Sequence, residues 1–190
     1  MNRILIMGPP GAGKGTQAVA VAEHYRIPAI STGEIFRSHV AEGTALGTTA
    51  RRYMRAGEYV PDDVTNEMVR ERLSRADCGG GFLLDGYPRT LDQVVMLDKM
   101  LGERDAAIDA VVALSVGIED LVERLIHRAG VQHRADDTED VIRRRLQVYR
   151  CETEPLLGEY SARGLLLTVD GTGTVPEVAG RVFEALDARS

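Results

Sequence analysis

A chain of 190 residues with 44% hydrophobic and 27% charged side chains has an ordinary globular composition. One main domain over 1–190 is expected, with enough apolar material to need no disulfide or metal staple. A net charge of −6 argues against general binding to nucleic acid or to an anionic membrane. All but two of the 23 basic residues are nevertheless arginine, the exceptions being Lys14 and Lys99. So many planar, bidentate cations in an acidic chain point to a local anion site. Cys78 and Cys151 stand far apart with no partner at metal-ligand spacing, so neither a disulfide framework nor zinc is expected. The apolar run near the N-terminus is too short for a secretion signal or a membrane span, and a cytosolic location follows as the expectation.

In chain order, Ile4-Leu5-Ile6-Met7 is a continuous apolar run ended by Gly8, the pattern of a buried parallel strand. A helix is predicted over 16–25 and a short strand over 27–30. Ser31-Thr32-Gly33-Glu34 fits the capping-box pattern and is expected to open the next helix. Helical patterning over 44–56 stops at Gly57, and Pro61-Asp62-Asp63 restarts a helix to about residue 75. Phe82-Leu83-Leu84 is a third strand, ended by Asp85-Gly86. A helix over 91–101, a strand over 110–116 and a helix over 118–128 follow, then a polar loop over 129–137. One long, charge-rich helix is predicted over 138–160, a fifth strand over 165–169 and a last helix over 175–188. Strands alternating with helices specify an α/β fold around a parallel sheet.

Gly8-Pro9-Pro10-Gly11-Ala12-Gly13-Lys14 lies directly between the first strand and the first helix. It fits the phosphate-binding loop pattern Gly-x-x-x-x-Gly-Lys. Glycines allow successive backbone N–H groups to turn around a phosphate, and the helix N-terminus adds its dipole and free donors. Lys14 adds a mobile point charge. The residue after Lys14 is Gly15 and the hydroxyl comes one later, at Thr16, so the usual direct metal ligand is displaced. Mg²⁺ is therefore expected on phosphate oxygens and waters, with Thr16 and Asp85 placed to reach it through water.

The segment from Gly8 to Gln17 resembles the signature loop of adenylate kinases. So do Ile30-Ser31-Thr32-Gly33-Glu34 with Arg37, and Asp85-Gly86-Tyr87-Pro88-Arg89-Thr90. Arg134-Ala135-Asp136-Asp137 and Val169-Asp170-Gly171-Thr172 complete the set in the family's order. The chain resembles bacterial members of the short-lid type. The resemblance implies a three-layer phosphate-binding-loop fold on a five-stranded parallel sheet. It also implies a small helical AMP-binding insertion at 31–60, a short lid at 128–137, and the reaction MgATP + AMP = MgADP + ADP. By the same resemblance, ATP phosphates lie on Gly11, Ala12, Gly13, Lys14, Gly15 and Thr16. Arg128 covers the ATP side and Gly173 approaches its adenine through backbone. Thr32, Arg37, Glu58, Tyr59, Val60, Gly86, Tyr87, Pro88, Arg89 and Gln93 correspond to the AMP site, with Arg134 and Arg145 bracketing the phosphoryl group in flight. Lys14, Arg89, Arg128, Arg134 and Arg145 form the implied catalytic set. ATP, AMP and ADP are the implied small-molecule partners, and a monomer is the family default.

The lid departs from the long-lid pattern. Only Ala129-Gly130-Val131-Gln132-His133 separates Arg128 from Arg134, which leaves no place for a lid zinc site. His127 stands where relatives carry Gly, and His133 is expected to be exposed and non-catalytic. Arg124 and Arg128 are four apart and share a helical face. The run Arg143-Arg144-Arg145 shows the limit of spacing, which does not say which of the three points inward. Two other readings compete. A UMP/CMP kinase would carry different residues at Thr32 and Gln93, which match the adenine-reading pair. A non-enzymatic nucleotide switch would not need Arg37, Arg89, Arg134 and Arg145 around a second phosphate site.

Overall fold

The computed structural model describes residues 3–117, 121, 124–125 and 138–189. Five parallel strands form one sheet in the order β2-β3-β1-β4-β5. They are β1 (Arg3–Met7), β2 (Ala29–Ser31), β3 (Phe82–Asp85), β4 (Ala110–Ser115) and β5 (Leu166–Asp170). β1 is central: Ile4 pairs with Leu83 on one side and Ala110 on the other, and Leu5 with Leu84 and Val111. A strand covered on both faces has no solvent side to hold polar residues, which explains its unbroken apolar run.

The alternation of side chains along the strands divides the core into two layers. Leu5, Met7, Ile30, Leu84 and Val111 face α2 (Thr32–Glu42), α4 (Asp62–Leu73), α5 (Leu91–Gly102) and α7 (Pro155–Ala162), against Phe36, Val69, Leu97 and Leu156. Ile4, Ile6, Leu83 and Val112 face α1 (Lys14–Tyr25) and α8 (Val175–Asp187), against Ala18, Val21, Val182 and Leu186. Each fully buried Leu or Ile contributes about 1.5–3 kcal/mol relative to exposure. α2 and α3 (Ala45–Ala56) pack on one another, and α6 (Glu139–Val148) completes the described helices longer than one turn.

Two predicted features differ. The capping box at Ser31–Glu34 does not form: Ser31 is the N-cap of α2 but makes no side-chain capping bond. Ser31 still belongs to β2, and the neighbouring Thr32 hydroxyl donates to the Gly86 carbonyl at 2.9 Å. Ser31 is thus the last residue of β2, paired with Asp85, as well as the first flanking residue of α2. A box does occupy the start of α8, where Thr174 N–H donates to Glu177 Oε2 at 2.8 Å. The single helix predicted over 138–160 is interrupted. α6 gives way to a π-helical turn, Tyr149–Thr153, before α7 resumes at Pro155. Pro155 has no N–H and its ring would crowd the carbonyl four residues back in a regular helix. The chain widens by one residue, and Glu154 N–H donates to Tyr149 O at 2.9 Å, five residues away. The helix predicted over 118–128 and the loop over 129–137 fall largely or wholly outside the described residues.

The strand order reverses direction about β1: the chain reaches β2 and β3 on one side, then crosses to β4 on the other. A crevice opens there at the carboxyl ends of the strands, and the Gly8–Lys14 loop emerges into it.

Candidate active site

Above the carboxyl edge of the sheet lies a cleft of about 1150 Å³. Single small-molecule sites run to about 1000 Å³, so this cleft lies just above the upper end of that range. Gly11, Ala12, Gly13, Lys14, Gly15, Thr16 and Gly173 line one end. Thr32, Arg37, Glu58, Tyr59, Val60, Gly86, Tyr87, Pro88, Arg89 and Gln93 line the other, and Arg145 and Asp85 also face the cleft. Arg128 and Arg134, with the 128–137 lid, His127 and His133, lie outside the described residues.

The first end is built by backbone. Gly11 sits at φ 88°, and a Cβ there would stand 2.9 Å from Leu125 Cγ and 3.0 Å from Leu121 O. Both the left-handed backbone and the lack of space require glycine. Gly13, at φ 89°, is the N-cap of α1, whose first N–H groups open toward the loop. Lys14 Nζ donates to Gly8 O at 2.7 Å and Pro9 O at 2.9 Å, which holds the ammonium over the loop. Asp85, at the end of β3, faces the same loop: its Oδ2 lies 3.7 Å from where a Cβ on Gly15 would stand.

The opposite wall is built by side chains from distant elements. Gly86, at φ 80°, brings Thr32 and Arg89 together; a Cβ there would lie 2.8 Å from both Thr32 Oγ1 and Arg89 Nη2. The Gly86 carbonyl accepts from Thr32 Oγ1 at 2.9 Å and from Arg89 Nε at 2.7 Å. The Arg89 guanidinium lies over the Tyr59 ring, 4.8 Å from its centre, which adds a cation–π attraction. Tyr59 Oη shares a 2.7 Å hydrogen bond with Thr153 Oγ1, and Thr153 Oγ1 donates to the Arg89 carbonyl at 2.9 Å. Arg89 is therefore gripped at its side chain and at its backbone.

Gln93, 1% exposed, closes this wall. Its Oε1 accepts from Arg89 N–H at 2.8 Å and its Nε2 donates to Asp62 Oδ1 at 2.6 Å. Asp62 Oδ2 accepts from Thr90 Oγ1 at 2.6 Å, and Thr90, the N-cap of α5, accepts from Gln93 N–H at 3.2 Å. Tyr87 lies beneath, its hydroxyl donating to Asn66 Oδ1 at 2.7 Å. Burial, reinforced by Asp62, pushes its phenol well above the ordinary value. Tyr149, also on the cleft, is pushed up to about 12 chiefly by burial and stays neutral near pH 7.

The structure resolves the arginine run. Arg143 pairs with Glu139 at 2.7 Å, Arg144 pairs with Glu58 at 3.2 Å, and Arg145 lines the cleft. The Glu58 side chain thus turns outward. Several cleft residues lie beyond the set implied by resemblance. Arg124 lines the cleft and donates to Gly171 O at 3.1 Å; its spacing from Arg128 was the available signal. Gln17 is buried there with Nε2 on Val175 O at 3.1 Å and Oε1 without a protein partner. Thr153, on the cleft, and Asp62, which bonds Gln93 without lining the cleft, have no local signal, because their partners lie far away in sequence. Among the described residues, no group of three or more His, Cys, Asp or Glu side chains is arranged to hold a metal, and no helix is long and apolar enough to cross a membrane.

A glycine-shaped loop at a helix N-terminus and an arginine-bearing wall thus share one cleft at the switch point of a parallel sheet. The adenylate kinase family model matches residues 6–165. The chain is 60% identical to an adenylate kinase of Nocardioides sp. over 97% of both chains. It is 54% identical to one of Kocuria rhizophila over 98% of this chain and all of the relative, and 51% identical to one of Bifidobacterium longum over 97% and 100%. On these matches, and with the fold that carries the site, the chain belongs to the adenylate kinase family and is a phosphotransferase enzyme of that family.

Proposed function

We propose that the enzyme catalyses MgATP + AMP = MgADP + ADP with ATP on the 8–16 loop and AMP against the Thr32–Arg89–Gln93 wall. The observation that carries this reading is that a helix N-terminus with Lys14 and the cations Arg37, Arg89 and Arg145 line one and the same cleft. In the transfer, an oxygen of the AMP phosphate bonds to the γ-phosphorus of ATP as the bond from that phosphorus to the β,γ-bridging oxygen breaks. No covalent enzyme intermediate is needed, so positioning and charge stabilisation carry the catalysis.

In this reading the Gly11–Thr16 backbone binds the donor phosphates and Lys14 neutralises charge on the group in flight. Arg37 and Arg89 grip the acceptor phosphate, and bidentate forks suit that task. Arg145 approaches the transferring group from α6, joined by Arg128 and Arg134 from the 128–137 lid. Thr32 and Gln93 read the acceptor base, the backbone of Glu58, Tyr59 and Val60 flanks it, and 31–60 serves as the acceptor insertion. Gly173 backs the donor adenine. Mg²⁺, arriving with ATP, would neutralise the β and γ oxygens, with Thr16 and the loop-facing Asp85 carboxylate holding its waters. The proposed working unit is a single chain in the cytosol.

The test is nucleoside diphosphate formation from ATP with AMP, UMP, CMP and GMP as acceptors. AMP is expected to exceed each of the others in kcat/KM by at least about tenfold, the scale of one polar reader. Preference for UMP or CMP would reject the assignment of the acceptor wall.

A further inference from the structure

A glutamine amide can read a purine edge in either of two senses. Adenine offers an amino donor beside a ring-nitrogen acceptor; a 6-oxopurine offers the reverse, a carbonyl acceptor beside a ring N–H donor. Rotating the amide by a half-turn exchanges its oxygen and NH₂ and matches the second pattern as well as the first. Gln93 would therefore discriminate poorly between the two classes unless something fixed its sense. Thr32 offers no remedy, since its hydroxyl can donate or accept by rotation.

Two neighbours of Gln93 have fixed polarity. The Arg89 backbone N–H only donates, and it meets Oε1 at 2.8 Å. The Asp62 carboxylate only accepts, and it meets Nε2 at 2.6 Å. A flipped amide would set NH₂ against N–H on one side and carbonyl oxygen against carboxylate on the other. Asp62 is itself held, since its second oxygen accepts from Thr90 Oγ1 at 2.6 Å and Asp62 begins α4. One N–H and one lone pair of the amide are left over for the cleft.

We propose that Asp62 is a positioning residue that, together with the Arg89 N–H, sets the sense of the Gln93 amide and thereby selects 6-aminopurine over 6-oxopurine acceptors. This rests on the reading that Gln93 faces the acceptor base. In a residue only 1% exposed, these neighbours specify oxygen from nitrogen, where a purely apolar pocket would not.

The experiment compares kcat/KM for AMP and for inosine 5′-monophosphate in the wild type, Asp62→Ala, Asp62→Asn and Gln93→Leu. Inosine monophosphate reverses the edge without adding the exocyclic amine of guanine. Asp62→Ala is expected to narrow the AMP preference several-fold, since one of the two groups that hold the amide is lost while the Arg89 N–H remains, with the ATP KM unchanged. Asp62→Asn retains an acceptor for Nε2 and is expected to restore part of the preference. Loss of rate on both acceptors by one common factor in Asp62→Ala, with Gln93→Leu narrowing the preference, would overturn the proposal and leave Asp62 a structural cap. An unchanged preference in Gln93→Leu would overturn the base-reading assignment itself, and the role of Asp62 with it.

Discussion

The two walls of the cleft are built by different means. The wall proposed to hold the donor is a contiguous loop: its shape comes from glycine dihedrals, its charge from one lysine and a helix terminus, and most of its groups are backbone. The wall proposed to hold the acceptor gathers Thr32, Tyr59, Arg89, Gln93 and Thr153, with Asp62 bonded to Gln93, from well-separated parts of the chain, joined by hydrogen bonds spanning up to 94 residues. A backbone-built wall concentrates its function in very few side chains. A side-chain-built wall spreads it through a network, so individual losses are graded.

Three substitutions probe that contrast, in falling order of effect. Lys14→Met removes the one side-chain cation of the donor loop and is expected to lower kcat by about two to three decades or more. Its thermal unfolding midpoint should stay near wild type, because Lys14 bonds to loop carbonyls and belongs to neither core layer. Near-native turnover in a folded variant would erase the distinction between the walls. Arg89→Ala should raise the AMP KM and lower kcat together, by about one to two decades in kcat/KM, since a group that both binds and orients is lost. AMP titrations that superimpose on wild type would show that the acceptor phosphate sits elsewhere. Thr153→Val removes one tether of the Arg89 carbonyl and of Tyr59 while keeping shape. It should cost about 0.5–1.5 kcal/mol of stability and raise the AMP KM a few-fold, leaving the ATP KM alone. An equal rise in both Michaelis constants would mean that Thr153 supports the whole cleft and not one wall.

The same contrast explains what could be read from the sequence. The donor loop is legible because its determinants are adjacent: Gly8 to Lys14 carry turn, dipole and charge within one strand-to-helix connection. The alternating elements, the parallel sheet and the helix stop at Gly57 follow from local patterning as well. Asp62 and Thr153 escape notice because nothing near them in sequence marks them; Asp62 looks like a helix-start carboxylate, and its partners Thr90 and Gln93 lie about thirty residues on. Gln93 was expected to read a base, and its lock on the Arg89 backbone could not be inferred without the fold. Spacing does not separate Arg145 from Arg143 and Arg144; the family resemblance singles it out, and the structure puts it on the cleft while its two neighbours pair with Glu139 and Glu58. Pro155 is different: the breaker is visible in the sequence, and the single helix over 138–160 overlooks it. The Ser31–Glu34 pattern shows the opposite error, a local signal at a residue that the fold keeps in β2, paired with Asp85.

The widened turn at Tyr149–Thr153 also sets the helical phase of everything before it. At 3.6 residues per turn, each residue advances the helix by about 100°. Removing one residue from this turn would give an uninterrupted register through Pro155 only by rotating α6 by about that angle relative to α7. Arg145 would swing off the cleft and one of its charged neighbours would take its bearing. Length in this turn is thus as tightly specified as residue type. Homologous sequences aligned across it should tolerate substitutions at the outward positions Arg150 and Glu152 far more readily than any insertion or deletion.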